Sequence, residues 1–156
     1  MLRSLRLAAA IALLAALVIG TGTVAADAGD HGRKIIDTRL VGIPVAGQVL
    51  LGVTGGGRPW TIEKGKAKLF EDGFIELEVR GLVLGPGGAN EGTNPIALGR
   101  AIVVCNGVDK VMSGTVPFSV PGGDAEVEAQ LALPSPCLAP VIFFGSAGGS
   151  WFAVSG

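Results

Sequence analysis

Between residues 64 and 80 hydrophobic and polar side chains alternate with a period of two. Lys64, Lys66 and Lys68 are interleaved with Gly65, Ala67 and Leu69. After Glu71-Asp72-Gly73, Glu76, Glu78 and Arg80 are interleaved with Ile75, Leu77 and Val79. Successive side chains of a strand point to opposite faces, so the pattern predicts two half-buried strands joined by a turn. A three-residue loop with Gly73 in the left-handed conformation pairs Phe70 with Phe74. That register sets Lys68 opposite Glu76 and Lys66 opposite Glu78, with Leu69 against Ile75 and Ala67 against Leu77. A two-residue loop would set Lys68 opposite Leu77 and mix the faces, so charge pairing and apolar pairing select the same register. The lysine cluster reads as the wet face of a sheet.

The same reasoning predicts further strands over residues 35–43, 48–53, 97–105, 110–118, 125–133, 140–144 and 150–154. In 125–133, Ala125, Val127, Ala129, Leu131 and Leu133 alternate with Glu126, Glu128 and Gln130. The unbroken runs Ile102-Val103-Val104 and Val141-Ile142-Phe143-Phe144 suit central strands covered on both sides. Glycine and proline punctuate the chain between these strands, with 24 of the 26 glycines falling after residue 26, and residues 85–95 (GPGGANEGTNP) form a connector too rich in both to be a strand. Eight or nine short strands in this length predict an all-β, antiparallel two-sheet β-sandwich, immunoglobulin-like or related, with a small β-barrel as the alternative. The immunoglobulin Cys-Trp-Cys order is absent, since no Trp separates Cys105 from Cys137.

The one helix-like composition lies at the start. Arg3 and Arg6 precede an unbroken apolar run over residues 7–19, and Val24-Ala25-Ala26 offers a small-residue cleavage site. This is the pattern of a Sec-type signal peptide over residues 1–26, and its apolar run falls short of the ~20 residues a membrane span needs. The arginines are not adjacent, as a twin-arginine signal requires, and no Cys near the cleavage site suggests a lipid anchor. No later run lacks charge, Gly and Pro, so no membrane span is expected after cleavage. Removal of the leader leaves roughly 130 residues, enough for one domain that buries about two-thirds of its surface. Residues 27–34 read as a flexible lead-in and 35–156 as the domain. The expected location is extracellular or periplasmic. There, Cys105 and Cys137 are expected to form a disulfide, which the chain-entropy argument values at about 3–4 kcal/mol for a loop of this size. With a net charge of −1 and lysines set among carboxylates, the chain lacks the basic surface of a nucleic-acid binder.

Candidate chemistry is sparse. A nucleophilic triad needs a base beside its Ser or Cys, and the single histidine, His31, falls in the lead-in. Glu76, Glu78, Glu126 and Glu128 alternate on predicted wet faces, which leaves Glu91 and Asp124 as loop carboxylates without an identifiable partner. The glycine-rich stretches 55–57 and 85–88 lack the Gly-Lys-Ser/Thr ending of a phosphate loop and precede strands. Asp72, Asn90, Glu91, Asn94 and Asp109 are oxygen donors without EF-hand spacing, and two Cys with one His disfavour structural zinc. Cleavage after Ala28 instead of Ala26 would expose Gly29-Asp30-His31, whose amine, amides and imidazole suit copper(II) or nickel(II). Against that stands an incidental His in a linker. No cofactor is expected.

Trp60 follows Arg58-Pro59, and Trp151 follows Gly149-Ser150. A buried core position is the commoner role for such residues, while exposed rings at loop ends would stack on sugars or anchor partners. At GGGRPW (55–60), VRGLVLG (79–85), EGTNP (91–95), LPSPCLAP (133–140) and WFAVSG (151–156), the chain resembles uncharacterised secreted bacterial proteins of similar size. That resemblance implies an exported single β-rich domain and no particular activity. The preferred expectation is a non-enzymatic structural or binding domain, with Arg58, Trp60, Asn90, Glu91 and Asn94 around the 85–95 loop as candidate binding residues. A polysaccharide or an envelope protein is the candidate partner, and self-assembly through strand edges is a separate version. The alternatives are a small secreted hydrolase or metal-dependent enzyme using loop carboxylates, and a protease-inhibitor-like module. Two inward-facing tryptophans would remove the aromatic from the candidate site.

Overall fold

A computed structural model describes residues 31–156, and among these there are strands and no helix. The strands are β1 (Lys34–Gly42), β2 (Val49–Leu50), β3 (Val53–Thr54), β4 (Trp60–Thr61), β5 (Lys64–Phe70), β6 (Phe74–Arg80) and β7 (Val83–Leu84). They continue as β8 (Leu98–Cys105), β9 (Asp109–Met112), β10 (Val116–Pro117), β11 (Ala125–Gln130), β12 (Val141–Ser146) and β13 (Trp151–Ser155). Nine of them form one antiparallel sheet in the order β10-β8-β12-β13-β1-β5-β6-β11, with β9 also paired to β8.

The all-β, antiparallel expectation holds, but the strands do not form a clear two-sheet sandwich. The sheet is continuous and curls into a half-barrel. The reason is β1. Its first part, Lys34 to Arg39, pairs with β5, and Leu40 to Gly42 pair with β13. One strand therefore carries backbone hydrogen bonding from one half to the other, and the apolar faces of both halves meet in a single core. Two bulges add curvature, since an extra residue bends its strand and increases the twist. Ile35 is the extra residue of β1 against β5, and Phe152 the extra residue of β13 against β12.

The β5–β6 hairpin has the register expected from its charges, with Lys68 opposite Glu76, Lys66 opposite Glu78 and Ala67 opposite Leu77. Gly73 has φ of 91° and donates its N–H to Phe70 O at 3.0 Å, closing the three-residue loop. A Cβ there would also run into the carbonyl of Leu131. The continuous apolar runs behave as central strands. Ala101 to Cys105 of β8 and Ile142 to Phe144 of β12 are all fully buried. The short β2–β3 hairpin packs against Trp151, whose Nε1–H donates to Gln48 O (3.2 Å) and Val53 O (3.1 Å). Trp60 stacks on Phe152 with centroids 4.1 Å apart, and Phe118 meets Phe144 edge-on at 5.1 Å. Such pairs add about 0.5–1.5 kcal/mol beyond the area they bury.

Several boundaries differ from expectation. The strand expected over 110–118 breaks into β9 and β10, where Ser113 turns inward and its Oγ accepts from the Ala101 N–H at 3.0 Å. The strand expected over 48–53 is instead a hairpin, because Leu51 and Gly52 take positive φ and turn the chain. The β4–β7 pair carried no alternation long enough to read. The end of β8 is held by the disulfide between Cys105 and Cys137, with Cα atoms 5.0 Å apart across 32 residues of sequence.

Truncating Phe144 to Ala should lower stability by about 3–5 kcal/mol in equilibrium urea unfolding. Removing the disulfide (Cys105→Ser with Cys137→Ser) should cost about 3–4 kcal/mol by the entropy argument. Glu128→Ala, on an exposed edge position, should stay within about 0.5 kcal/mol of the parent. A Phe144 variant as stable as the Glu128 variant would contradict the single-core account.

Candidate functional site

The 85–95 loop is exposed at its tip and tied down at its base. Arg58 reaches under it, with Nη1 donating to Ala89 O and Nη2 to Gly85 O at 3.2 Å. Asn90 has φ of 63° and its carbonyl accepts from Thr93 Oγ1 at 2.7 Å. Glu91 Oε2 accepts from the Gly87 N–H at 3.2 Å. Asn94 is 0 % exposed, and its Nδ2 donates to Ile96 O (2.7 Å) and Ser119 O (2.9 Å) while Oδ1 accepts from the Ile96 N–H (2.8 Å). Trp60 and Trp151 are 4 % and 1 % exposed. Three of the five candidate binding residues, Arg58, Glu91 and Asn94, thus have side-chain polar groups bonded to the chain's own backbone, Asn90 is held through its main-chain carbonyl, and Trp60 offers no open ring face. The proposed aromatic platform at this loop is withdrawn by burial.

His31 packs on the β5–β6 hairpin. Its ring stacks on Phe74 at 3.6 Å and 5°, and its Nδ1 lies 3.2 Å from Asp72 Oδ2. Gly29 and Asp30, the rest of the copper motif, and both leader cleavage positions lie outside the described residues. Asp124 Oδ1 accepts from the Gly81 N–H at 3.0 Å. Among the described residues no three His, Cys, Asp or Glu side chains gather in a way that would hold a metal ion. The glycine stretch 55–57 backs the second tryptophan, with the Gly56 N–H donating to Trp151 O at 2.8 Å.

A different feature stands open where β1 leaves β5. Arg39 and Lys66 are the last partners on that side of the β1–β5 ladder. Beyond them β1 turns to β13, while the chain from Thr61 to Lys64 runs the other way, leaving a groove of about 580 Å³. Its floor is thin because two glycines let the backbones close up. A Cβ on Gly65 would lie 2.6 Å from Leu40 Cβ, and one on Gly42 would collide with the Trp60 carbonyl. Val41 and Pro44 line it with exposed apolar surface, and Ile62 is half-buried in it. Arg39, Lys64 and Lys66 supply three cations against the single carboxylate of Glu63.

No family model, no curated protein and no solved structure matches this chain. The reading therefore rests on geometry alone. On the wet face, cations and carboxylates are largely neutralised across strands. Lys68 Nζ lies 2.6 Å from Glu76, Lys64 Nζ 3.1 Å from Glu78, and Arg80 bridges Glu78 (2.9 Å) and Glu126. The hydrogen bond from Arg80, and then that from Lys64, holds the Glu78 carboxyl below its usual pKa of 4.5. Asp72 is held below 3.8 first by the Phe74 N–H and then by His31, and Asp37 by its bond to Lys34. Lys68 is raised above 10.5 by its bond to Glu76.

A carboxylate with a depressed folded-state pKa contributes stability above its unfolded value and loses it as pH falls through the folded value. Thermal melts should accordingly show the melting temperature dropping as the pH falls below the ordinary carboxyl values of 4.5 and 3.8, with Glu78→Gln flattening part of that drop. The raised Lys68 acts oppositely, its contribution being lost as pH climbs past 10.5. At the loop, Asn94→Ala should lower stability by at least about 2 kcal/mol, because it leaves buried backbone groups unpaired. Limited proteolysis should then cut within 85–95 sooner than in the parent.

Proposed function

We propose that this chain is an exported, non-enzymatic domain of the extracellular space or cell envelope, with a binding or structural role. Export rests on the leader pattern over residues 1–26, and the Cys105–Cys137 disulfide supports an oxidising destination. A non-catalytic role rests on where the reactive side chains point. Glu91 and Asp124 accept hydrogen bonds from backbone N–H groups, and His31 is stacked on Phe74 beside Asp72. Each holds the fold. The observation that carries a binding role is the groove beside β1, an open concavity within the size range of ligand sites. Burial of Trp60 removes the ring a polysaccharide would stack on, so the binding surface moves from the 85–95 loop to the groove.

Expression of the full chain with its leader in a bacterial host should give an exported product whose two cysteines resist alkylation until reduced. Retention in the cytoplasm with free thiols would overturn the export half of the reading. Turnover of a hydrolysable ester, glycoside or peptide, abolished by Glu91→Ala or Asp124→Ala in a folded variant, would overturn the other half. Size-exclusion over a concentration series should give one constant mass, whereas growth with concentration would point to self-assembly through β9 or β11.

A further inference from the structure

Two cations face each other across the β1–β5 ladder without an acid between them. Arg39 and Lys66 are direct cross-strand partners, and both are exposed. Like charges in directly opposed positions destabilise a sheet. The carboxylate opposite Lys66 on its other side is Glu78, which is drawn to Lys64 (3.1 Å) and Arg80 (2.9 Å) instead. Asp37, the nearest acid along β1, is bonded to Lys34. Glu76 is held by Lys68, and Glu63 is the only acid lining the groove. Among the described residues no carboxylate hydrogen-bonds either Arg39 or Lys66. Asp37 attracts Lys66 only at longer range, being hydrogen-bonded to Lys34, so the facing cations are balanced only in part.

Besides Thr61, Glu63 and Lys64, the groove has an apolar wall of Val41, Pro44 and Ile62. Val41, the last but one residue of β1, is 51 % exposed, and Pro44 and Val45 extend the exposed apolar surface past the end of the strand. A cationic end and an apolar wall in one open groove call for a ligand with the complementary division.

Deepening the binding reading and resting on it, we propose that this groove takes a small amphipathic anion. Its carboxylate or phosphate head lies between Arg39 and Lys66, and its apolar body lies along Val41, Pro44 and Ile62. The head completes a counter-charge that Asp37 supplies only in part, through charge-assisted hydrogen bonds that a guanidinium can make in pairs. The body covers side chains that otherwise face water.

Isothermal titration calorimetry of the full exported chain, with decanoate below its micelle concentration, tests this. Decanoate and decyl phosphate should bind saturably, one per chain. Acetate, which lacks the body, and decyltrimethylammonium, which reverses the head, should not. Arg39→Gln with Lys66→Gln should weaken decanoate binding by about tenfold or more, the equivalent of losing one charge-assisted bond. Its melting temperature should be no lower than the parent's, because the two cations oppose each other in the free protein. Lys110→Gln, an exposed cation on β9, should bind as the parent does. Absence of saturable heat would overturn the proposal, as would equal binding of the cationic amphiphile or a double variant within about twofold of the parent. Binding to phosphatidylglycerol vesicles without decanoate binding would overturn it in favour of a membrane surface. None of these failures touches export or the disulfide, so the ligand class can fall while the exported-domain reading stands.

Discussion

The hydrogen bonding of β1 to two different partners organises this molecule. A strand that pairs with β5 along one stretch and with β13 along the next cannot belong to either of two separate sheets. It makes them one, and the sheet must then bend for both apolar faces to be buried. The bend is taken up at Ile35 and at Phe152, the two bulged residues. At the second of these the bulge also places an aromatic ring against Trp60. The curvature of the half-barrel and the aromatic packing of its core thus have a common origin in backbone register.

Legibility followed sequence separation. The β5–β6 hairpin was readable to the residue because everything that fixes it lies within seventeen positions: the lysines, the glutamates, the apolar partners and Gly73. The buried runs in β8 and β12 and the disulfide were readable for a similar reason, since residue type alone restricts them strongly. The sheet switch at Arg39 and Leu40 was not. Alternation along 35–43 shows which residues are buried but not which strand lies on either side, and a sandwich and a half-barrel share that alternation.

The internal bonding of the 85–95 loop was illegible in the sequence for a related reason. Arg58, Asn90, Glu91 and Asn94 were singled out because polar residues in a glycine-rich loop are free to bind something else. In such loops the backbone also has unpaired groups of its own, and buried ones must be satisfied. Asn94 shows which demand won, since all three of its amide hydrogen bonds go to main-chain atoms. Conversely, Lys66 was read correctly as a wet-face residue, but its more telling neighbour is Arg39, 27 positions away and placed beside it only by the β1–β5 ladder. No local pattern encodes that pairing.

The groove is a consequence of the switch and not an independent feature. Past Arg39 the β1–β5 ladder ends, although Gly65 still packs against Leu40 and the Trp60 N–H still donates to Ile43 O, while Thr61 pairs with Val83 of β7. The groove lies over this unladdered stretch, and Arg39 and Lys66, which close the ladder, stand on its rim. Had those residues been an acid and a base, the end of the ladder would have been self-satisfied, as Lys68 and Glu76 are one step further along the sheet. Two cations stand there instead, beside a valine more than half exposed. Fold stability favours neither arrangement, since an opposed like-charge pair costs energy and an exposed valine contributes little. An opposed like-charge pair at the end of this ladder is therefore a feature that the fold around it does not require.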